Sequence, residues 1–244
     1  MTVDAVLFDF DDTLYPYAPC NEAGKTAAHE AALERGYDLD TGEFEAFYQT
    51  GRRDVKRDLA GTAASHDRLL YFKRALERRT GEPRPSDALA LGDAYWEGYL
   101  EAMAIHPGVE ETFSTLREAG IDVAIVTNLT TRIQLRKIER LNLADAIDLL
   151  VTSEEVGQEK PASVMFTYPL ARLECHPSDA VMVGDSITSD VVGGNAIGLE
   201  TVLFDAGGEE PDDPGPSEVD DRTKDDRIPD HRIDHFGDLT DLVL

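Results

Sequence analysis

Cysteine is almost missing from this chain: Cys20 and Cys175 are the only two in 244 residues, and their spacing is not that of a metal knuckle. Two isolated thiols point to a reduced cytosolic protein rather than a disulfide framework. Lysine is scarce as well, with 6 among 23 basic residues, while 49 residues are acidic and the net charge is -26. That balance argues against nucleic acid as a partner, because a polyanion would be repelled. Long apolar runs are absent too, and none approaches the roughly 18 residues of a membrane span. No basic stretch precedes an apolar one at the N-terminus, so neither a signal peptide nor a membrane partner is expected. An acid-rich, lysine-poor chain suits high salt, where screening relieves self-repulsion. Residues 208–230 hold ten of the acidic residues, but the rest of the excess is spread along the chain, and a salt-adapted cytosol is expected.

What is present is enough apolar residue, 41 %, for a core of one large domain or of a domain plus a smaller one. Val3 to Phe8 reads as a short strand buried on both faces, the parallel-sheet type. Residues from about 18 to 105 read as helices, roughly 20–35, 41–60, 65–80 and 86–104, broken at Gly36, Gly61 and Gly81. From Pro107 the pattern alternates between strand and helix. Strands are expected at Val123 to Thr127, "IDLLVTS", "DAVMVGD", "ETVLF" and "HRID". Helices fall between them, including 131–141 and 188–197, and "GDLTDLVL" closes the chain. Pro169 predicts a kink or early stop in the helix after Lys160-Pro161. Residues 207–230 read as a loop or disordered insert. The fold class is α/β, a Rossmann-like parallel sheet with helices on both faces and an inserted helical cap. The expected boundaries are 1–15 and 106–244 for the core and 16–105 for the cap.

Acidic and hydroxyl residues sit where strands end, and open parallel sheets bind ligands there. "AVLFDFDDTLYPY" places Asp9, Asp11 and Asp12 within four positions of one another after the first strand. Asp9 is a candidate nucleophile toward phosphorus, since carboxylates form aspartyl phosphates. Asp11 is placed to protonate a leaving oxygen and then to deprotonate water. Two carboxylates beside a phosphate need a hard divalent cation, which makes Mg²⁺ the expected cofactor. "VGDSITSD" supplies Asp185 as a direct ligand and Asp190 as a water-mediated or orienting one. Thr127 and Asn128 offer donors to phosphoryl oxygens near a helix start. Lys160, the only lysine between Lys137 and Lys224, offers the fixed positive charge.

The segments "DFDDTLY", "VTN", "EKP" and "VGDSITSD", in this order, resemble the haloacid dehalogenase-like (HAD) hydrolase superfamily. The helical insert is similar to its C1 cap. The details look most like the phosphatase branch containing N-acylneuraminate-9-phosphatase and pyrimidine 5′-nucleotidases. The resemblance implies Asp9 as nucleophile, Asp11 as general acid/base, Thr127 as phosphate ligand and Lys160 as the stabilising lysine. It also implies Mg²⁺ held by Asp9, the main-chain carbonyl of Asp11, and Asp185. True 2-haloacid dehalogenases lack the second aspartate, so Asp11 argues against dehalogenation. Asp12 stands where other members often have glycine.

The expected function is a cytoplasmic, Mg²⁺-dependent phosphatase of a small soluble phosphomonoester, a sugar phosphate or a nucleotide. A phosphomutase or phosphonatase of the same superfamily is an alternative, with Lys25, Lys56 and Lys73 as cap lysines for such work. A phospho-accepting signalling receiver is the alternative from another class, but receivers are about half this length and lack the insert. The basic run "GRRDVKRD" reads as a solvated helix face or a substrate contact. The sequence leaves the oligomeric state open.

Overall fold

The computed structural model describes residues 3–205 and 226–244. The loop expected at 207–230 lies outside the described residues as far as position 225. The strands are β1 (Ala5–Phe8), β2 (Asp122–Thr127), β3 (Leu149–Thr152), β4 (Ala180–Gly184), β5 (Glu200–Phe204) and β6 (His231–Ile233). Among the described residues the first helices are α1 (Tyr17–Glu34), α2 (Thr41–Asp58), α3 (Arg68–Thr80), α4 (Pro85–Glu101) and α5 (Val109–Glu118). Then come α6 (Thr131–Arg140), α7 (Ser153–Val156), α8 (Val164–Arg172), α9 (Val192–Ile197) and α10 (Phe236–Val243). Two compact units are distinguished. One comprises Met1–Tyr15, Ile105–Asn128 and Asn142–Leu244, the other Pro16–Ala104 and Leu129–Leu141.

The first unit is built on one parallel sheet with the order β3-β2-β1-β4-β5-β6. Its central strands are short apolar runs because both faces are covered. Ala5 and Leu7 of β1 face a cluster with Ala124, Val126, Met182 and, from α8, Met165, Phe166 and Leu170. Phe8 packs against Phe113 of α5 at 4.8 Å between ring centroids and against Phe236 of α10 at 6.4 Å. Pro169 lies inside α8, a helix of only 9 residues that ends at Arg172. The helix expected over 188–197 is divided: Ile187–Val191 is a π-helical turn and only Val192–Ile197 is α-helical.

The second unit is helical. Asp40 accepts from the Glu43 backbone N–H while the Glu43 side chain accepts from that of Asp40, a reciprocal cap that starts α2. Phe44, Tyr48, Tyr71, Phe72, Tyr95 and Tyr99 fill its centre. One segment departs from the expected division, which placed all of 106–244 in the core. Residues 129–141 cluster with the helical unit, because α6 is tied to α4. Arg140 donates to the carbonyls of Leu100 at 2.9 Å and Glu101 at 3.1 Å. Lys137 lies 5.7 Å from the Trp96 ring centroid and 5.2 Å from that of Tyr99.

Candidate active site

The strand order reverses between β1 and β4, the neighbours at the middle of the sheet. A crevice opens at the carboxyl ends of strands at such a point. Asp9 follows β1, its N–H still bonded to the Val183 carbonyl at 2.8 Å, and Asp185 follows β4. Positions 172 or more apart in the chain thus become neighbours. Thr13 shows the joint: its Oγ1 accepts from the Asp185 N–H at 3.1 Å and lies 3.1 Å from Asp185 Oδ1 and 3.4 Å from Asp9 Oδ2.

Lys160 stands among the carboxylates. Its Nζ donates to Asp9 Oδ1 at 2.5 Å and to Asp190 Oδ1 at 2.6 Å, and the Lys160 and Asp190 side chains are each 2 % exposed. Burial works against the ammonium, but Asp190 and Asp9 outweigh it and hold its pKa above the ordinary lysine range. Asp190 also accepts from the Ser186 N–H at 3.1 Å. Burial pushes Asp190 up to about 6, against the downward pull of Lys160. Burial, then the charges of Asp9, Asp190 and Asp12, push Asp185 up to about 9.

Burial and acidic neighbours disfavour the Asp185 carboxylate, and a cation beside it would favour that ionised form. Ligand oxygens of Asp9, Asp185 and Asp190 lie within 4.8 Å of one another, and they are hard donors. This donor set fits a small divalent cation such as Mg²⁺. The grouping differs in one respect from the expectation, which assigned Asp190 a supporting place. Asp190 joins the trio, while also holding Lys160. The Asp11 carboxylate is outside the trio and accepts from the Tyr15 hydroxyl.

Thr127 ends β2 fully buried, with Oγ1 at 3.4 Å from the Asn128 carbonyl. Asn128 Oδ1 accepts from the Lys160 backbone N–H at 2.8 Å, which pins the segment that carries the lysine. Lys160-Pro161 is a cis peptide. Asp12 adopts φ 66°, the left-handed region that glycine takes without strain and that Asp tolerates better than most residues. The structure therefore brings together Asp9, Asp185, Asp190 and Lys160, and it ties Asn128 to Lys160.

Sequence reasoning misses Thr13, the Tyr15–Asp11 contact and Gly184. A Cβ at Gly184 would lie 2.3 Å from Asp190 Cγ, so only glycine lets the Asp190 carboxylate seat against β4. Gly184→Ala is expected to destabilise the protein by about 1–3 kcal/mol through overpacking. A urea titration will read this as a lower midpoint with unchanged slope. In the helical unit, Lys25 is paired with Glu22 at 2.7 Å and Glu45 at 2.8 Å, and Lys73 with Glu77 at 2.8 Å. Those two expected cap lysines are thus engaged in ion pairs.

The haloacid dehalogenase-like hydrolase model matches residues 3–198 of this sequence. The chain belongs to that family. A second hydrolase-like model matches residues 158–239. The chain is 64 % identical over 239 residues, 98 % of both chains, to ribulose-1,5-bisphosphate 5-phosphatase of Halopiger xanaduensis. It is 32 % identical to glyceraldehyde 3-phosphate phosphatase of Methanopyrus kandleri, over 99 % of this chain and 97 % of the other. Pyrimidine 5′-nucleotidase YjjG of Escherichia coli is 29 % identical over 84 % of this chain and 88 % of its own. Among solved structures, 2-haloacid dehalogenase from Pseudomonas syringae superposes with a TM-score of 0.74 at 22 % identity, covering 99 % and 98 % of the two chains. A HAD phosphatase from Thermococcus onnurineus gives 0.72 at 23 %, covering 100 % and 98 %. At such identity these two structures speak for the fold alone.

Proposed function

We propose that this hydrolase releases phosphate from a small sugar phosphate, and that a ketopentose bisphosphate of the ribulose 1,5-bisphosphate type is its substrate. The observation that carries the reading is the buried Lys160 held between Asp9 and Asp190 at the switch point, with Asp185 beside them. The 64 % identity to a sugar-bisphosphate phosphatase supports the substrate class.

In this reading a carboxylate oxygen of Asp9 attacks phosphorus and the ester oxygen departs, taking its proton from Asp11. The aspartyl phosphate is then opened by water at phosphorus. Asp11 takes the water proton, inorganic phosphate leaves, and the Asp9 carboxylate is restored. Lys160 holds Asp9 in place and shares the charge that gathers on the phosphoryl oxygens, toward which Thr127 and Asn128 supply donors. Asp9, Asp185 and the main-chain carbonyl of Asp11 would hold Mg²⁺, with Asp190 orienting the site. When bound, the ion neutralises the clustered negative charge that otherwise keeps phosphate out.

The same proposal places the enzyme in a cytoplasm of high salt. The net charge of -26 supports that setting, and no helix among the described residues is long and apolar enough to cross a membrane.

Phosphate release from a panel of sugar phosphates, nucleotides and p-nitrophenyl phosphate tests the reading. Turnover is expected with Mg²⁺ in high salt, highest for the sugar bisphosphate. Chelation is expected to lower it by about 100-fold or more. A stable phosphoprotein without turnover would indicate a receiver, and phosphate migration without release a mutase.

A further inference from the structure

Tyr15 is the last residue of the first stretch of the sheet unit, and it is fully buried. Its hydroxyl donates to Asp11 Oδ1, and the backbones of the two residues meet in an isolated β-bridge. A buried tyrosine hydroxyl needs an acceptor. The acceptor here is the carboxylate that, in the reading above, gives a proton to the ester oxygen and later takes one from water.

The stretch that carries this pair is fixed at several points, all within the sheet unit. The Leu14 N–H donates to the Phe10 carbonyl at 3.0 Å, and the Leu14 carbonyl accepts from the His106 N–H at 2.9 Å. Thr13 is bonded to the segment that carries Asp185. Phe10, Thr13 and Leu14 are fully buried, and the Tyr15 ring meets Phe10 edge-on, with 5.5 Å between centroids. The Tyr15 hydroxyl is therefore held by a locked backbone and a packed ring. Asp11 is not locked in this way. It is half-buried, and its carboxylate lies outside the group formed by Asp9, Asp185 and Asp190. A short carboxylate in such a place spreads over several rotamers unless something holds it. One hydrogen bond to Oδ1 ends that freedom. A donor on Oδ1 also disfavours a proton there and leaves Oδ2 to carry the one that is transferred. Partners of this kind orient a reacting group much as they orient metal ligands.

We propose that Tyr15 is a positioning residue that aims Asp11 for both proton transfers, holding Oδ1 so that Oδ2 serves first the ester oxygen and then the attacking water. This rests on the phosphatase reading above. The two half-reactions separate positioning from packing. p-Nitrophenolate leaves phosphorus without a proton, whereas a sugar oxygen needs one, and opening of the aspartyl phosphate needs Asp11 as base whichever group has left. Tyr15→Phe is thus expected to lower kcat/KM for a ketopentose bisphosphate by about 10- to 100-fold. For p-nitrophenyl phosphate, kcat and KM should fall together, with kcat/KM within about threefold of wild type. A stoichiometric burst of p-nitrophenolate should then precede the slower steady state. Asp11→Asn should show the same pattern more strongly, and adding Tyr15→Phe to it should cost nothing further on p-nitrophenyl phosphate. An equal loss of kcat/KM on both substrates, no loss on either, or a full further loss in the double variant overturns the assignment and leaves the phosphatase reading standing. Should Tyr15→Phe not fold, labelling with 3-fluorotyrosine gives a second reading. Asp11→Ala should move the ¹⁹F signal of one of the eight tyrosines, and an unmoved spectrum overturns the proposal. If Asp11→Asn lacks the leaving-group pattern, or wild type hydrolyses neither compound, the proposed function has failed and the assignment falls with it.

Discussion

Asp9→Asn is expected to lower kcat for phosphate release by at least about 1,000-fold, as loss of a nucleophile does elsewhere. The carboxamide keeps the shape of the side chain, but its oxygen is a poor nucleophile and no aspartyl phosphate follows. The fold should not suffer. Asp9 shares one buried lysine with Asp190, and it lies beside Asp185, which is already pushed up to about 9 by burial and its acidic neighbours. Removing one of these charges relieves repulsion. The variant's thermal midpoint in chelator should therefore equal or exceed that of wild type. Steady-state phosphate assays and thermal unfolding on the same preparation check both halves. A variant keeping more than about 1 % of the rate would show that Asp9 is not the nucleophile.

The fold class was legible because its strands are short apolar runs at the places where β and α patterns alternate. Strand order was not, since pairing β1 with both β2 and β4 depends on contacts across more than a hundred residues. The site divides along the same line. Asp9, Asp185, Asp190 and Lys160 stand out by residue type and position after strands, and lysine scarcity makes Lys160 conspicuous. Thr13 became visible only when Asp185 was placed against it from 172 positions away. Gly184 gives no signal before the Asp190 carboxylate is seen to need its missing Cβ. The basic run in α2 is solvated, one of the two readings that its sequence offers, with Arg52, Arg53 and Arg57 exposed. Arg57 faces solvent beside Asp54 and Asp58, while Arg68, outside that run, is the buried one. Its burial arises from rings on α1, α3 and α4 together, which no local pattern displays. The grouping of 129–141 with the helices was hidden for a like reason, because the bonds from Arg140 to α4 span about forty positions.

Lys160→Met should cost the most stability of any change at the site. It leaves Asp9 and Asp190 buried without the ammonium that both contact, and breaking a buried pair from one side costs about 3–5 kcal/mol. The loss should depend on pH in a direction that the carboxylates dictate. In wild type Asp190 is pushed up to about 6, so folded Asp190 holds its proton more tightly than the unfolded chain does. The stability that this contributes is complete below the ordinary carboxylate range and is lost as pH rises through about 6. Lys160 pulls Asp190 downward, and without it the folded pKa rises further. The variant then binds more protons when folded, and its stability falls more steeply with pH. In chelator, the deficit against wild type should be small near pH 4 and should grow toward pH 7, read from urea midpoints at each pH. A deficit independent of pH would mean that Lys160 supports the fold by packing alone. Phosphate release by Lys160→Met should fall even at a pH where the variant is fully folded, because the charge that holds Asp9 and meets the phosphoryl oxygens has gone.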